Sequence, residues 1–214
     1  MIELWGRKNS YNVLKVLWTL DELNMEYTHH DVGSNPGDLE TAEFLAMNPR
    51  ARIPVLADKG SVIWESNTIV RYLCAAYGGN LLWLDDPLQR SYADRWMDWE
   101  LATLEPDFMG LFWGYYRKPE SKRDYVQIEY SKSQCELHFK MLDNHLKEND
   151  FLAGEAFSMG DIPAATYLYR YFEMGVEVEK PSSVMAWYQR LSRREAFRRT
   201  IMTPFGELKG REHF

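Results

Sequence analysis

Apolar spacing changes character once along this 214-residue chain, close to residue 80. Before that point, short apolar runs alternate with helical patterns. Beyond it, helical patterns follow one another across short polar breaks. A sheet can form only in the first stretch. The chain therefore reads as two domains, over 1–78 and 88–214, of class α/β followed by all-α.

Ile2, Glu3, Leu4 and Trp5 alternate and are stopped by Gly6, as a short strand is. From Asn12, the residues Val13, Val16, Leu17, Leu20 and Leu23 recur with the period of an amphipathic helix. A second strand is predicted over 27–32, and a short helix over 38–47, closed by Asn48-Pro49. The runs 55–58 and 61–65 flank Lys59-Gly60 and read as an antiparallel hairpin. Ser66 is a candidate cap for a helix that turns Ile69, Val70, Leu73 and Tyr77 inward and ends at Gly78-Gly79. The order β-α-β-α-β-β-α gives one small mixed sheet with helices packed on it. Residues 79–87 form a linker, after which helices are predicted over 89–113, 125–147, 161–172 and 182–190.

Charge narrows the function classes. Against 25 Lys and Arg stand 32 Asp and Glu, a net charge of −7 that opposes approach to phosphate backbones and anionic membranes. The run Arg190, Arg193, Arg194, Arg198, Arg199 reads as a solvated helix face. Neither a long apolar span nor a basic-then-apolar leader is evident, and a cytoplasmic location is expected. Cys74 and Cys135 are too far apart in sequence for a metal-site or disulfide pattern. His29, His30, His138, His145 and His213 show no metal-ligand spacing, and His138 with His145 reads as a solvated face. No metal, nucleic acid or membrane partner is expected.

Four local patterns occur in order: Ser10-Tyr11-Asn12-Val13; Asn48-Pro49 with Arg52-Ile53-Pro54-Val55-Leu56; Glu65-Ser66-Asn67-Thr68-Ile69 running to Arg71-Tyr72-Leu73; and Phe157-Ser158-Met159-Gly160-Asp161-Ile162-Pro163. Together they make the chain resemble the cytosolic glutathione S-transferases over nearly its whole length, the serine-type bacterial, theta and phi members above all. The resemblance implies a thioredoxin-like first domain, an all-helical second domain and a homodimer.

It also implies site roles, each with a bland alternative. A thiol with a pKa of about 8.5 is mostly protonated at neutral pH, and a hydroxyl donor at a helix start stabilises its anion. Ser10 would be that donor, with Asn12 and then Tyr11 as other candidates. By local pattern alone, Ser10 reads first as a helix N-cap. With no cysteine in this loop, conjugation or glutathione peroxidase chemistry is expected in place of disulfide exchange. Pro54 would follow a cis bond, with Ile53 offering its backbone to the cysteinyl unit; alone, Pro54 would read as an edge-strand proline. Glu65 would face the γ-glutamyl ammonium, and Ser66 with the helix amides its carboxylate. The glycyl carboxylate needs a cation, and Arg52, Lys59, His29 and His30 are the candidates. Ser158 and Asp161 read as a capping box with a Phe157–Ile162 staple, where Gly160 replaces the family's usual alanine and should loosen the turn.

A pocket for a hydrophobic electrophile or peroxide is expected between the domains. Phe108, Met109, Phe112, Trp113, Tyr115, Tyr116, Tyr169, Phe172 and Phe205 are its candidates, although most such residues also suit a core. Trp96, Asp98 and Trp99 suit packing between domains or subunits. The resemblance thus implies a glutathione transferase with glutathione as co-substrate. The alternative is a non-catalytic binding protein of the same fold. A glutathione-dependent isomerase or reductive dehalogenase is less favoured, because the serine-cysteine loop of such members is absent.

Overall fold

The computed structural model describes residues 1–212, and of Asn80 and Leu81 only the backbone. His213, among the histidines considered above, lies outside the described residues. The chain divides into two compact units, one over Met1–Gly79 and one beginning at Asn80.

The first unit contains β1 (Ile2–Trp5), α1 (Tyr11–Glu22), β2 (Tyr27–His30), α2 (Ala42–Met47), β3 (Val55–Asp58), β4 (Ser61–Trp64) and α3 (Ser66–Tyr77). The sheet order is β2-β1-β3-β4, with β1 parallel to β2 and the other neighbours antiparallel. Leu4 sits opposite Leu56 at the centre, and both are fully buried. Helix α1 buries Val13, Val16, Leu17, Trp18 and Leu20, and packs on α3 through a core that includes Ile69, Val70 and Leu73. Each such side chain contributes about 1.5–3 kcal/mol by leaving water. Gly6, at φ 146, makes the turn between β1 and α1 feasible, because a Cβ there would meet Val13 Cγ2 at 2.5 Å.

Three predicted boundaries shift, each for a local reason. Strand β2 ends at His30, not at residue 32, because its partner β1 ends at Trp5, opposite His30. Beyond it, Asp38 Oδ2 accepts the N–H groups of Gly33 and Asn35 at 3.1 and 3.0 Å and shapes a loop. Asp38 is thereby removed from α2, which starts after Thr41, whose hydroxyl accepts the Phe44 N–H at 3.2 Å. Nor does Ser66 cap α3: it is the first helical residue, and Glu65 is the cap at φ 69. At the far end of the hairpin, buried Asp58 accepts the hydroxyls of Tyr72 and Tyr77 and ties the strands to α3.

A short helix, α4 (Gly79–Leu82), lies within the predicted linker. The second unit then opens with α5 (Pro87–Trp99), capped by Asp86. The predicted helix over 89–113 becomes a longer helical run in which π-helical turns, Glu100–Leu104 and Phe112–Arg117, bracket α6 (Glu105–Leu111). Pro106 has no N–H to give, and a widened turn just before it accommodates the ring. Helices α7 (Tyr125–Leu146), α8 (Asp161–Ala165), α9 (Leu168–Glu173), α10 (Ser182–Ser192) and α11 (Glu195–Thr200) follow. The predicted helix over 161–172 is thus split in two. Its break lies where the Thr166 hydroxyl bonds back to the Ile162 carbonyl at 2.8 Å.

Asp161 organises this unit. One carboxylate oxygen accepts the Ser158 N–H at 3.0 Å, as a capping box requires. The other accepts Leu152 N–H at 2.9 Å and Trp187 Nε1–H at 3.1 Å. The Ser158 hydroxyl takes the Gly160 N–H at 3.2 Å, so the box closes one residue early. Burial pushes the Asp161 carboxyl up to about 6, against these hydrogen bonds, which favour the anion. Gly160 does not merely loosen the turn: a Cβ there would lie 2.8 Å from Ala93 Cα on α5.

The two α7 histidines are not a solvated face. His138 bonds Asp107 at 2.7 Å and meets Trp99 edge-on, while His145 bonds the Leu152 carbonyl at 3.0 Å and lies against Trp96. The arginine run is also engaged: Arg190 pairs with Asp150, Arg199 with Glu195, and Arg194 lies 4.0 Å over Phe157.

Candidate functional site

Three loops of the first unit end together: the turn into α1, the segment 48–54 before β3, and the turn from β4 into α3. The Ser66 hydroxyl donates to Asn12 Oδ1 at 3.1 Å, joining the first turns of α1 and α3. Both helices have 12 residues, long enough for their aligned peptides to leave positive ends. Two such ends held side by side favour an anion.

Ser10 occupies the N-cap position of α1 in extended backbone, at φ −79 and ψ 130, yet its side chain makes no capping bond. Its carbonyl accepts the Leu14 N–H, so the helix is started by backbone alone. The hydroxyl is left for other use. Tyr11 is turned into the core at 5% exposure, and Asn12 has its carbonyl oxygen committed to Ser66. Of the three candidates, Ser10 is the one neither enclosed in the core nor bonded to Ser66.

The Ile53–Pro54 peptide bond is cis, as the resemblance implies. Among the described residues neither the N–H nor the C=O of Ile53 has a hydrogen-bond partner. An open donor and acceptor on one residue, just ahead of β3, match a paired extended peptide. Its side chain packs toward the turn, with Cβ 3.2 Å from where a Cβ on Gly6 would be.

Sequence reasoning missed what shapes the 48–54 segment. Buried Asn48 donates Nδ2–H to the Arg52 carbonyl at 2.8 Å and accepts the Arg50 N–H on Oδ1 at 3.1 Å. Ala51 between them is left-handed at φ 50. Asn before Pro signals a turn, but an asparagine clamping two later residues is a three-dimensional fact. Arg50 was missed altogether: its Nη1 donates to Glu65 Oε1 at 3.1 Å.

The cations separate. His29 Nε2 donates to the Gly6 carbonyl at 2.7 Å, and His30 stacks on Trp5 and bonds Glu3 at 2.8 Å. Lys59 lies in the β3–β4 turn, over Tyr77 at 5.0 Å, a strand's length from Pro54. Arg52 is exposed with no side-chain partner among the described residues.

The aromatic candidates of the second unit also divide. Phe108 at 0% and Phe112 at 2% exposure stack on each other, and Phe108 packs on Tyr167. Both are core residues and wall no open surface, which corrects the expectation for them. Tyr116, Phe172 and Phe205 are buried as well. Met109, Trp113, Tyr115 and Tyr169 keep surface, with Arg117 4.1 Å from the Trp113 ring. The i, i+4 spacing of Phe108 and Phe112 belonged to a packed face.

Among the described residues no helix is long and apolar enough to cross a membrane, and no group of three or more His, Cys, Asp or Glu could hold a metal.

Comparison with known proteins agrees with this geometry. The family description "Glutathione S-transferase, N-terminal domain" matches residues 9–76, and "Glutathione S-transferase, C-terminal domain" matches residues 104–195. Glutathione S-transferase GstB of Escherichia coli is 42% identical over 206 residues, 95% of this chain and 99% of that protein. Glutathione S-transferase 3 of Zea mays is 29% identical, covering 94% and 93% of the two chains. The crystal structure of the theta class glutathione S-transferase from Xanthomonas axonopodis pv. citri, with glutathione bound, superimposes with a TM-score of 0.91 at 41% identity. It covers 95% of this chain and 98% of that one. With both halves matched and a serine left open at the start of α1, the chain belongs to the glutathione S-transferase family.

Proposed function

We propose that this chain catalyses glutathione transfer, ionising the glutathione thiol for attack on an apolar electrophile. The unspent Ser10 hydroxyl carries this reading, since an N-cap serine that does not cap is available as a donor. Ser10 donates its O–H to the thiolate sulfur, and the positive end of α1 adds to the preference for the anion. Ile53 pairs its N–H and C=O with the cysteinyl backbone. Arg52 takes the glycyl carboxylate, because His29 and His30 are engaged elsewhere. Glu65 takes the γ-glutamyl ammonium, while the first amides of α3, the Ser66 N–H among them, take the adjacent carboxylate. Trp113 and Tyr169 offer apolar surface to the electrophile. Hydroperoxides are the second substrate class, and rates on both classes decide between them.

The chain acts in the cytoplasm as a homodimer. Val126, Tyr130, Leu137 and Met141 are exposed on one stripe of α7, which supports burial against a second copy. Light scattering on the purified protein tests this.

The deciding experiment is an ultraviolet difference titration with glutathione at neutral pH. A saturable thiolate signal is expected, lost in Ser10→Ala together with turnover on the order of 10²-fold. Glutathione binding without that signal in the wild type would refute the transferase reading.

A further inference from the structure

Arg50 and Glu65 join their two loops through side chains, Nη1 to Oε1 at 3.1 Å. With side-chain exposures of 63% and 44%, such a pair adds little to stability. Yet the chain accepts unfavourable backbone at Glu65 and next to Arg50. Ala51, beside Arg50, has φ 50, and Glu65 itself has φ 69. Left-handed values of this kind disfavour side-chain-bearing residues, and they persist where the surroundings impose them, often at ligand sites. Asn48 clamps the Arg50 N–H from below. An exposed ion pair fixed in this way is of more use to a ligand than to the fold.

Neither side chain has another partner among the described residues. Glu65 keeps its second oxygen, and the Arg50 guanidinium keeps most of its donors. One carboxylate beside one guanidinium complements a zwitterion, with an ammonium set on Glu65 and a carboxylate on Arg50. We infer that Arg50 is a specificity-determining residue: it reads the α-carboxylate of the γ-glutamyl head while Glu65 reads the α-ammonium. The pair thereby selects ligands that carry both charges on one carbon. This inference rests on the glutathione reading of the site given above. It adds a contact that position 65 or 66 alone does not supply, and it assigns Arg50 and Arg52 to opposite ends of one peptide.

Calorimetric titration of the full chain and of Arg50→Gln tests it with two ligands, glutathione and 4-aminobutanoyl-Cys-Gly, which lacks only the α-carboxylate. Arg50→Gln should weaken glutathione about five-fold, the scale of one part-exposed charge-assisted hydrogen bond, and weaken the analogue less than about two-fold. Arg50→Lys should fall between wild type and Arg50→Gln on glutathione. Equal losses on both ligands, or no loss on glutathione, overturn the inference. So does a fall in thermal midpoint of more than about 4 °C, which would make the pair structural. If the wild type fails to bind glutathione at all, the site reading itself fails, which is a separate outcome.

Discussion

Ser66 Oγ and Asn12 Oδ1 lie 3.1 Å apart, and this single bond joins the first turns of two helices that are 54 residues apart in sequence. It sets which hydroxyl near the site is free and which is held. Ser10, on the turn that enters α1, is free of the helix it begins; Ser66, on the turn that enters α3, is held by its neighbour.

Asn12→Ala should therefore act differently from Ser10→Ala. Releasing Ser66 loosens the γ-glutamyl end, and glutathione affinity should fall roughly three- to ten-fold. The pH dependence of thiolate formation should stay where it is in wild type. A shifted titration in Asn12→Ala, read by ultraviolet absorbance, would instead make Asn12 the sulfur's donor.

Two small substitutions should move stability in opposite directions. Gly160→Ala places a methyl 2.8 Å from the Ala93 backbone and should cost about 1–3 kcal/mol. Ala51→Gly relieves a left-handed alanine at φ 50, worth about 1–2 kcal/mol, against an unfolded-state entropy cost of about half that. A small net gain is expected. Urea unfolding midpoints measure both; a stabilised Gly160→Ala would mean that α5 yields.

Asp161 should titrate near pH 6 in the folded protein, since burial favours its neutral form. Its folded value lies above the reference of 3.8, so its contribution to stability is fully present below about pH 4 and lost as pH rises through 6. Carboxyl carbon resonances followed by NMR give the midpoint directly. A midpoint below 4 would mean that the hydrogen bonds Asp161 accepts outweigh burial.

Both thiols should be silent in the native state. Burial pushes Cys74 up to about 12 and raises Cys135 as well, and both side chains are enclosed. A disulfide reagent should label neither until denaturant is added, when both should react. Rapid labelling of the folded chain would reveal opening of the core.

What could be read from sequence was what short range determines. The period of Val13, Val16, Leu17 and Leu20 places α1 correctly, because one face of a helix is a local property. The start of α2 could not be placed as well, because Asp38 and Thr41 both look like caps, and only the fold shows that Asp38 serves the Gly33 loop. Ser10 was legible by position, but whether its hydroxyl capped the helix was not. Arg50 was invisible because its partner, Glu65, lies 15 residues away across the hairpin. Phe108 and Phe112 misled because an aromatic pair at i, i+4 looks alike whether it faces a ligand or Tyr167.

A Cβ on Gly160 would meet the Cα of Ala93 at 2.8 Å and its carbonyl oxygen at 3.2 Å, so the missing methyl's room is taken by backbone. Glycine at 93 would not restore that room. Position 160 is therefore tied to the path of α5 and not to the residue that α5 carries there. A lineage with this packing reaches alanine at 160 only by moving a helix, a change that no single second substitution supplies.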